Sequence, residues 1–206
     1  MIDVRPDGLS AAESYRLLVG IVVPRPIAWV TTRHDDGRIN LAPFSCYTFV
    51  SSEPPMVAVS IGRRAGVPKD TSRNAQRTGE FVVNVVDESL AEPMHLSSAE
   101  HPADASEAEL TGIALAPSVL LATPRVAAAP IALECRLDQV IALGRLKTDL
   151  LIGEVVLFRI ADRLYRDGKV DSIGMRPLGR LGGPNYARLG EILTLPMVGE
   201  AGPAAR

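Results

Sequence analysis

The chain is short of cysteine and of aromatic residues, and its charges of either sign nearly balance. Two cysteines, Cys46 and Cys135, in 206 residues cannot form a disulfide framework and lack metal-ligand spacing, so a reducing, cytoplasmic setting is expected. Aromatic residues make up 4%, and the single tryptophan, Trp29, is expected in the core or an interface. Neither sign of charge dominates: Lys plus Arg is 22 against 24 for Asp plus Glu, a net charge of −2. That argues against nucleic-acid and membrane-surface partners. No apolar run approaches the ~20 residues of a membrane helix, and "MIDVRPDG" carries no signal pattern. His34, His95 and His101 are the only histidines; none stands at metal-ligand spacing, and no metal is expected. G-x-S-x-G, H-E-x-x-H and G-x-x-x-x-G-K-[ST] are all missing. "GRLGGP" follows no strand-to-helix junction, which excludes a dinucleotide-binding fingerprint.

What is present reads as one domain over 1–206. Residues 10–20, "SAAESYRLLVG", form a helix with Ser10 as N-cap, Glu13 completing a capping box and Gly20 as the stop. "PIAWVTT" is a strand, "HDDGR" a turn with Asp36-Gly37 at its tip, and "INLAPFSCYTFV" the returning strand. "EPP" breaks the chain before a further strand, "MVAVSIG". "KDTSRNAQRTG" is a short helix stopped at Gly79, and "EFVVNVV" is the clearest strand. Residues 87–130 read as short helices and loops, with "PADASEAEL" as one capped piece. Long strands follow at 131–143 and 149–165, turning at Gly144. "RDGK" is another turn, "LGRLGGPNY" is irregular, and "ILTLP" reads as a last strand. Six or seven strands, mostly joined by hairpins, favour a mainly β, antiparallel barrel with attached helices over a parallel doubly wound sheet.

Two segments carry the candidate chemistry. In "NLAPFSCYTFVSSEPP", Pro43 interrupts an apolar strand among small residues: Ala42, Ser45, Cys46 and Thr48. One reading is a bulge at a barrel corner. The other is a strand that peels away, leaving backbone N–H groups from Phe44 to Cys46 to border a flat heterocycle. Cys46 has no neighbouring cysteine or base to stabilise a thiolate, so it is not expected to be redox-active. The second segment is "SIGRRAGVPKDTSRN". A strand ends at Gly62, Arg63 and Arg64 follow, and Lys69-Asp70-Thr71 open a helix whose N-terminus suits a phosphate. Asp70 alone reads as an N-cap; the set together reads as an anion site.

Residues 25–86, "RPIAWVTT…NLAPFSCYTFVSSEPPMVAVSIGRR…KDTSRNAQRTGEFVVNVV", closely resemble the flavin reductase-like family of FMN-binding split barrels. The likeness continues, more loosely, through "PIALECRLDQVIALG", "IGEVVLFRI" and "GRLGGPNYARLG", giving a core of 25–190. The ordered combination N-x-A-P-x-S, S-x-G-R, K-D-T carries it. The resemblance implies a homodimeric split β-barrel holding FMN noncovalently in a cleft near the subunit interface. Asn40, Ala42, Pro43, Phe44, Ser45 and Cys46 would border the ring, with Thr31 and Thr32 close by. Ser60, Arg64, Lys69, Asp70 and Thr71 would serve the ribityl chain and phosphate. It further implies NADH or NADPH as electron donor and a monooxygenase as one kind of partner. Two alternatives remain open: a flavoredoxin-like electron carrier serving a protein partner, and a structural barrel with an empty cleft. The sequence departs from the family at His95 and His101, where asparagine and an aromatic residue are common. No catalytic residue is assigned, and Tyr186 either packs or reaches a partner subunit.

Overall fold

The structure, a computed structural model, describes residues 1–99 and 106–196. Helix α1, Ala11–Ile21, begins at Ser10 with both halves of the capping box in place. It runs one residue past Gly20, because that glycine keeps a negative φ and the helix stops only ahead of Pro24. Strands β1 (Ala28–Arg33) and β2 (Ile39–Phe44) form a hairpin, turning at Gly37 with a φ of 87°. The apolar run after it is not one strand. It divides at Ser45-Cys46 into β2 and β3 (Tyr47–Ser52), and β3 then pairs with β4 (Pro55–Ile61). Helix α2 (Asp70–Thr78) ends in a left-handed Gly79, whose N–H donates to the Ala75 carbonyl at 2.8 Å. Strand β5 (Glu80–Val85) follows directly.

The insert contains α3 (Ala91–Leu96), α4 (Glu107–Leu110) and the two-residue strands β6 (Leu115–Ala116) and β7 (Arg125–Val126). The first half of "PADASEAEL" lies outside the described residues, as does His101. Strands β8 (Ile131–Leu143) and β9 (Thr148–Ile160) are the longest. β9 stops short of residue 165 because Asp162–Leu164 form a 3-10 turn. Short strands β10 (Tyr165–Arg166) and β11 (Lys169–Val170) flank the Gly168 turn, and β12 (Gly179–Arg180) pairs with β13 (Tyr186–Ala187). "ILTLP" is not a strand. Ile192, Leu193 and Leu195 are exposed, and a strand needs a ladder partner that this segment lacks.

One sheet, all antiparallel, runs β2-β1-β5-β8-β9-β4-β3. One core draws on both ends of that order: Phe44 from β2 meets Val57 and Val59 of β4, with Phe81, Val83, Leu133 and Leu151 between them. The sheet is therefore rolled into a barrel that does not close, since β2 and β3 are its two free edges. A second core lies on the outer face of the first hairpin. There Trp29 and Leu41 pack against Leu90, Met94 and Ala108 of the insert. The period-2 alternation of β1 produces this division, with Ala28 and Val30 inward and Trp29 outward.

Candidate functional site at the barrel seam

Because β2 and β3 are both the edges of the sheet and neighbours in sequence, the chain crosses the split at Ser45-Cys46. Pro43 then finds its explanation. The Leu41 N–H leaves the sheet and donates to Glu107 Oε2 at 3.1 Å. Alternation aims the backbone nitrogen of residue 43 the same way, off an edge where no ladder bond is lost. The same parity turns the Phe44 N–H back toward β1, where Phe44 lies opposite Ala28. Unpaired donors at the seam thus begin at Ser45 and continue to Cys46, rather than starting at Phe44. Ser106 Oγ also donates to the Ile39 carbonyl at 3.1 Å, so the start of α4 covers the rest of this edge.

Three separate pieces of chain meet at the seam. Lys69 Nζ lies 5.9 Å from the centre of the Phe44 ring. The Ser60 N–H donates to the Cys46 carbonyl at 2.8 Å. Asn40 Nδ2 donates to Thr71 Oγ1 at 2.9 Å and to Thr32 Oγ1 at 3.1 Å, and Asn74 Nδ2 reaches the same Thr32 oxygen at 3.3 Å. All four of these polar residues are buried, so they fasten the first turn of α2 to the inner side of β1 and β2. In each of these bonds an amide nitrogen donates and a threonine hydroxyl oxygen accepts.

The N-terminus of α2 is aimed but not capped. Lys69 occupies the N-cap position and its side chain accepts nothing, so the first N–H groups of the helix remain open for an anion. Asp70 is not the N-cap but the first helical residue, tied to Arg73. Ahead of it, Arg64 and Val67 bond each other's backbones at 2.9 and 2.8 Å. Ala65 and Gly66 between them have φ of 48° and 80°, which makes a tight turn of the primed type. Arg64 sits exposed at its shoulder.

Arg63, the neighbour of the Arg64 to which the sequence pointed, is anchored by the fold. Arg63 Nη2 and Nε donate to Asp149 Oδ1 at 2.6 and 3.2 Å, and Ser72 Oγ donates to Asp149 Oδ2 at 2.8 Å. Asp149, buried on β9, thereby locks the loop and helix together. No local pattern could have shown this, because the partners are 86 and 77 residues apart. Thr31 stands apart from the seam. Its hydroxyl donates to the Pro124 carbonyl at 2.6 Å on the opposite face of β1. Trp29 is a core residue, with Nε1 donating to Ser97 Oγ at 2.9 Å.

Arg25 was not foreseen. It is 7% exposed, and its guanidinium donates to the carbonyls of Val19, Val22 and Leu181 and to Ser45 Oγ at 3.2 Å. The two thiols differ in kind. Cys46 is exposed at the seam, whereas burial, reinforced by the Glu134 charge, drives the Cys135 thiol far above its ordinary range. Burial also pushes Tyr47 up to about 12, with a smaller contribution from Cys135.

Comparison with known proteins places the whole chain. A family described as the flavin reductase like domain matches residues 20–174. The nitrilotriacetate monooxygenase component B of Bacillus cereus is 41% identical with a TM-score of 0.92, covering 95% of this chain and 98% of that one. The 2-nitrobenzoate 2-nitroreductase of Pseudomonas fluorescens is 34% identical with a TM-score of 0.89, covering 99% of this chain and all of that one. An uncharacterised protein of Halalkalibacterium halodurans is 45% identical over 197 residues, which is 93% of this chain and 94% of that protein.

Proposed function

The chain belongs to the flavin reductase-like family, and from that premise we propose that it is an FMN-dependent oxidoreductase fed by NADH or NADPH. The observation that carries this reading is the meeting at one seam of Phe44 with Lys69, Cys46 with Ser60, and Asn40 with Thr71. The residues fit the cofactor. The uncapped start of α2, with Lys69 beside it, offers charge-assisted donors to a phosphate. The Ser45 and Cys46 N–H groups, at the point where the ladder lapses, offer donors to the polar edge of a flat ring. Bound FMN supplies the redox chemistry, and the protein supplies placement and electrostatics. Thr32, Asn40, Thr71 and Asn74 set the height of α2 against the sheet, and Asp149 holds Arg63 and Ser72 so that the phosphate donors stay in register.

The two structural relatives include an oxidoreductase and a component of a monooxygenase, which supports small-molecule turnover and a partner oxygenase. The apolar residues exposed on the protomer support a homodimer. Titration with FMN followed by steady-state oxidation of NADH and NADPH tests the reading. Saturable flavin binding with multiple turnovers is expected. Flavin binding without nicotinamide oxidation would favour the electron carrier, and no flavin binding would leave the structural barrel.

A further inference from the structure

We propose that Arg180, backed by Tyr186 and His95, forms a subsite for the anionic oxygen group, phosphate or carboxylate, of the small molecule that exchanges electrons at the seam. This rests on the flavin reading above and adds to it the place where the second substrate is gripped.

The backbone builds the site as a row. Arg25 N–H donates to the Arg180 carbonyl at 3.0 Å and Arg180 N–H donates back at 2.8 Å, so the two arginines stand directly opposite one another. Arg180 in turn lies opposite Tyr186 in the β12–β13 pair. Directly opposed residues of an antiparallel pair project from the same face, which starts the Arg25, Arg180 and Tyr186 side chains from one face. Among the described residues neither arginine has a carboxylate partner, although Arg38, Arg63, Arg73, Arg77 and Arg176 each have one. An acidic chain that pairs so many arginines and leaves these two together has kept a local positive charge.

The two arginines divide the work. Arg25 is buried and committed to carbonyls and to Ser45 at the seam. Arg180 is only half-buried, and its side chain donates no hydrogen bond to a described residue. It lies 4.6 Å over the Tyr186 ring. Stacking engages the flat of a guanidinium and leaves its N–H edge for a bidentate anion. Tyr186 is itself steadied, since its hydroxyl is 2.9 Å from His95 Nδ1 and the two rings meet edge-on at 5.8 Å. The row therefore runs from the seam at Ser45 through Arg25 and Arg180 to His95, with Arg180 as its open donor.

The test uses the full chain loaded with FMN. NAD+, NADP+ and benzoate, which do not reduce flavin, are titrated calorimetrically into wild type, Arg180→Gln and Arg180→Lys. One charge-assisted pair lost should weaken the anion by about ten- to a hundredfold, with Arg180→Lys intermediate. FMN affinity and reduction by the uncharged donor N-benzyl-1,4-dihydronicotinamide should stay at the wild-type level. A loss confined to the dinucleotides assigns the site to phosphate, and a loss confined to benzoate assigns it to carboxylate. Unchanged binding of all three probes would overturn the proposal, as would an equal loss of FMN or of the uncharged donor. Failure of wild type to bind FMN at all is a separate result that removes the flavin reading and this subsite with it.

Discussion

At the scale of single residues, the site depends on buried polar groups that hold one another. Asp149 accepts from both Arg63 and Ser72; Ser72 Oγ also accepts from Gln76 Nε2, so Asp149→Ala strands the Arg63 guanidinium above all. Breaking such a pair on one side should cost about 3 kcal/mol, read as a lower urea midpoint with an unchanged slope. The cysteines give a second residue-level result. The thiolate is the reactive form, and Cys135 is both fully buried and shifted away from ionising. Iodoacetamide at pH 8 should modify Cys46 and spare Cys135, with FMN slowing the reaction at Cys46. Cys46→Ser should still transfer electrons. Modification of Cys135 in the native protein would contradict the packing described here. Pro43 was conspicuous in the sequence because its chemistry is local. Arg63, Asp149 and Arg25 were not, because their meaning lies in partners brought near only by the fold.

At the scale of elements, two glycines separate backbone strain from crowding. A Cβ at Gly79 would meet nothing within 4 Å, but its φ is +72°; Gly79→Ala should cost about 1 kcal/mol through the left-handed backbone alone. A Cβ at Gly153 would come within 2.5 Å of the buried Phe81 ring. Gly153→Ala should cost about 1–3 kcal/mol through overpacking. Thermal melts of the two variants check the order, and a harsher effect at Gly79 would reverse it. The helix stop at Gly79, the capping box at Ser10 and the strand over 131–143 were legible because each is written in adjacent residues. The division of 39–50 into two strands was not, because a seam is a property of sheet order and the apolar pattern runs straight across it. "ILTLP" misled for the related reason that a strand-like pattern is not a strand without a ladder beside it.

At the scale of the molecule, the protomer leaves much apolar surface uncovered. Helix α1 buries none of its residues, and Leu18, Ile21, Phe49 and Phe158 are all more than half exposed. No helix among the described residues is long and apolar enough to cross a membrane. The expected cover is a second copy, so sedimentation at micromolar concentration should show a dimer, and a stable monomer would contradict that. The rolled sheet brings β2, β4 and the start of α2 to one seam, and the central claim is that this seam holds a flavin phosphate at Lys69. Fluorescence titration of FMN and of riboflavin into wild type and Lys69→Ala measures that most directly. A charge-assisted hydrogen bond is worth roughly 1.5–3 kcal/mol, so FMN should weaken by about ten- to a hundredfold. Riboflavin, which has no phosphate, should change far less. Equal losses for the two flavins, or no loss for either, would contradict a phosphate at Lys69.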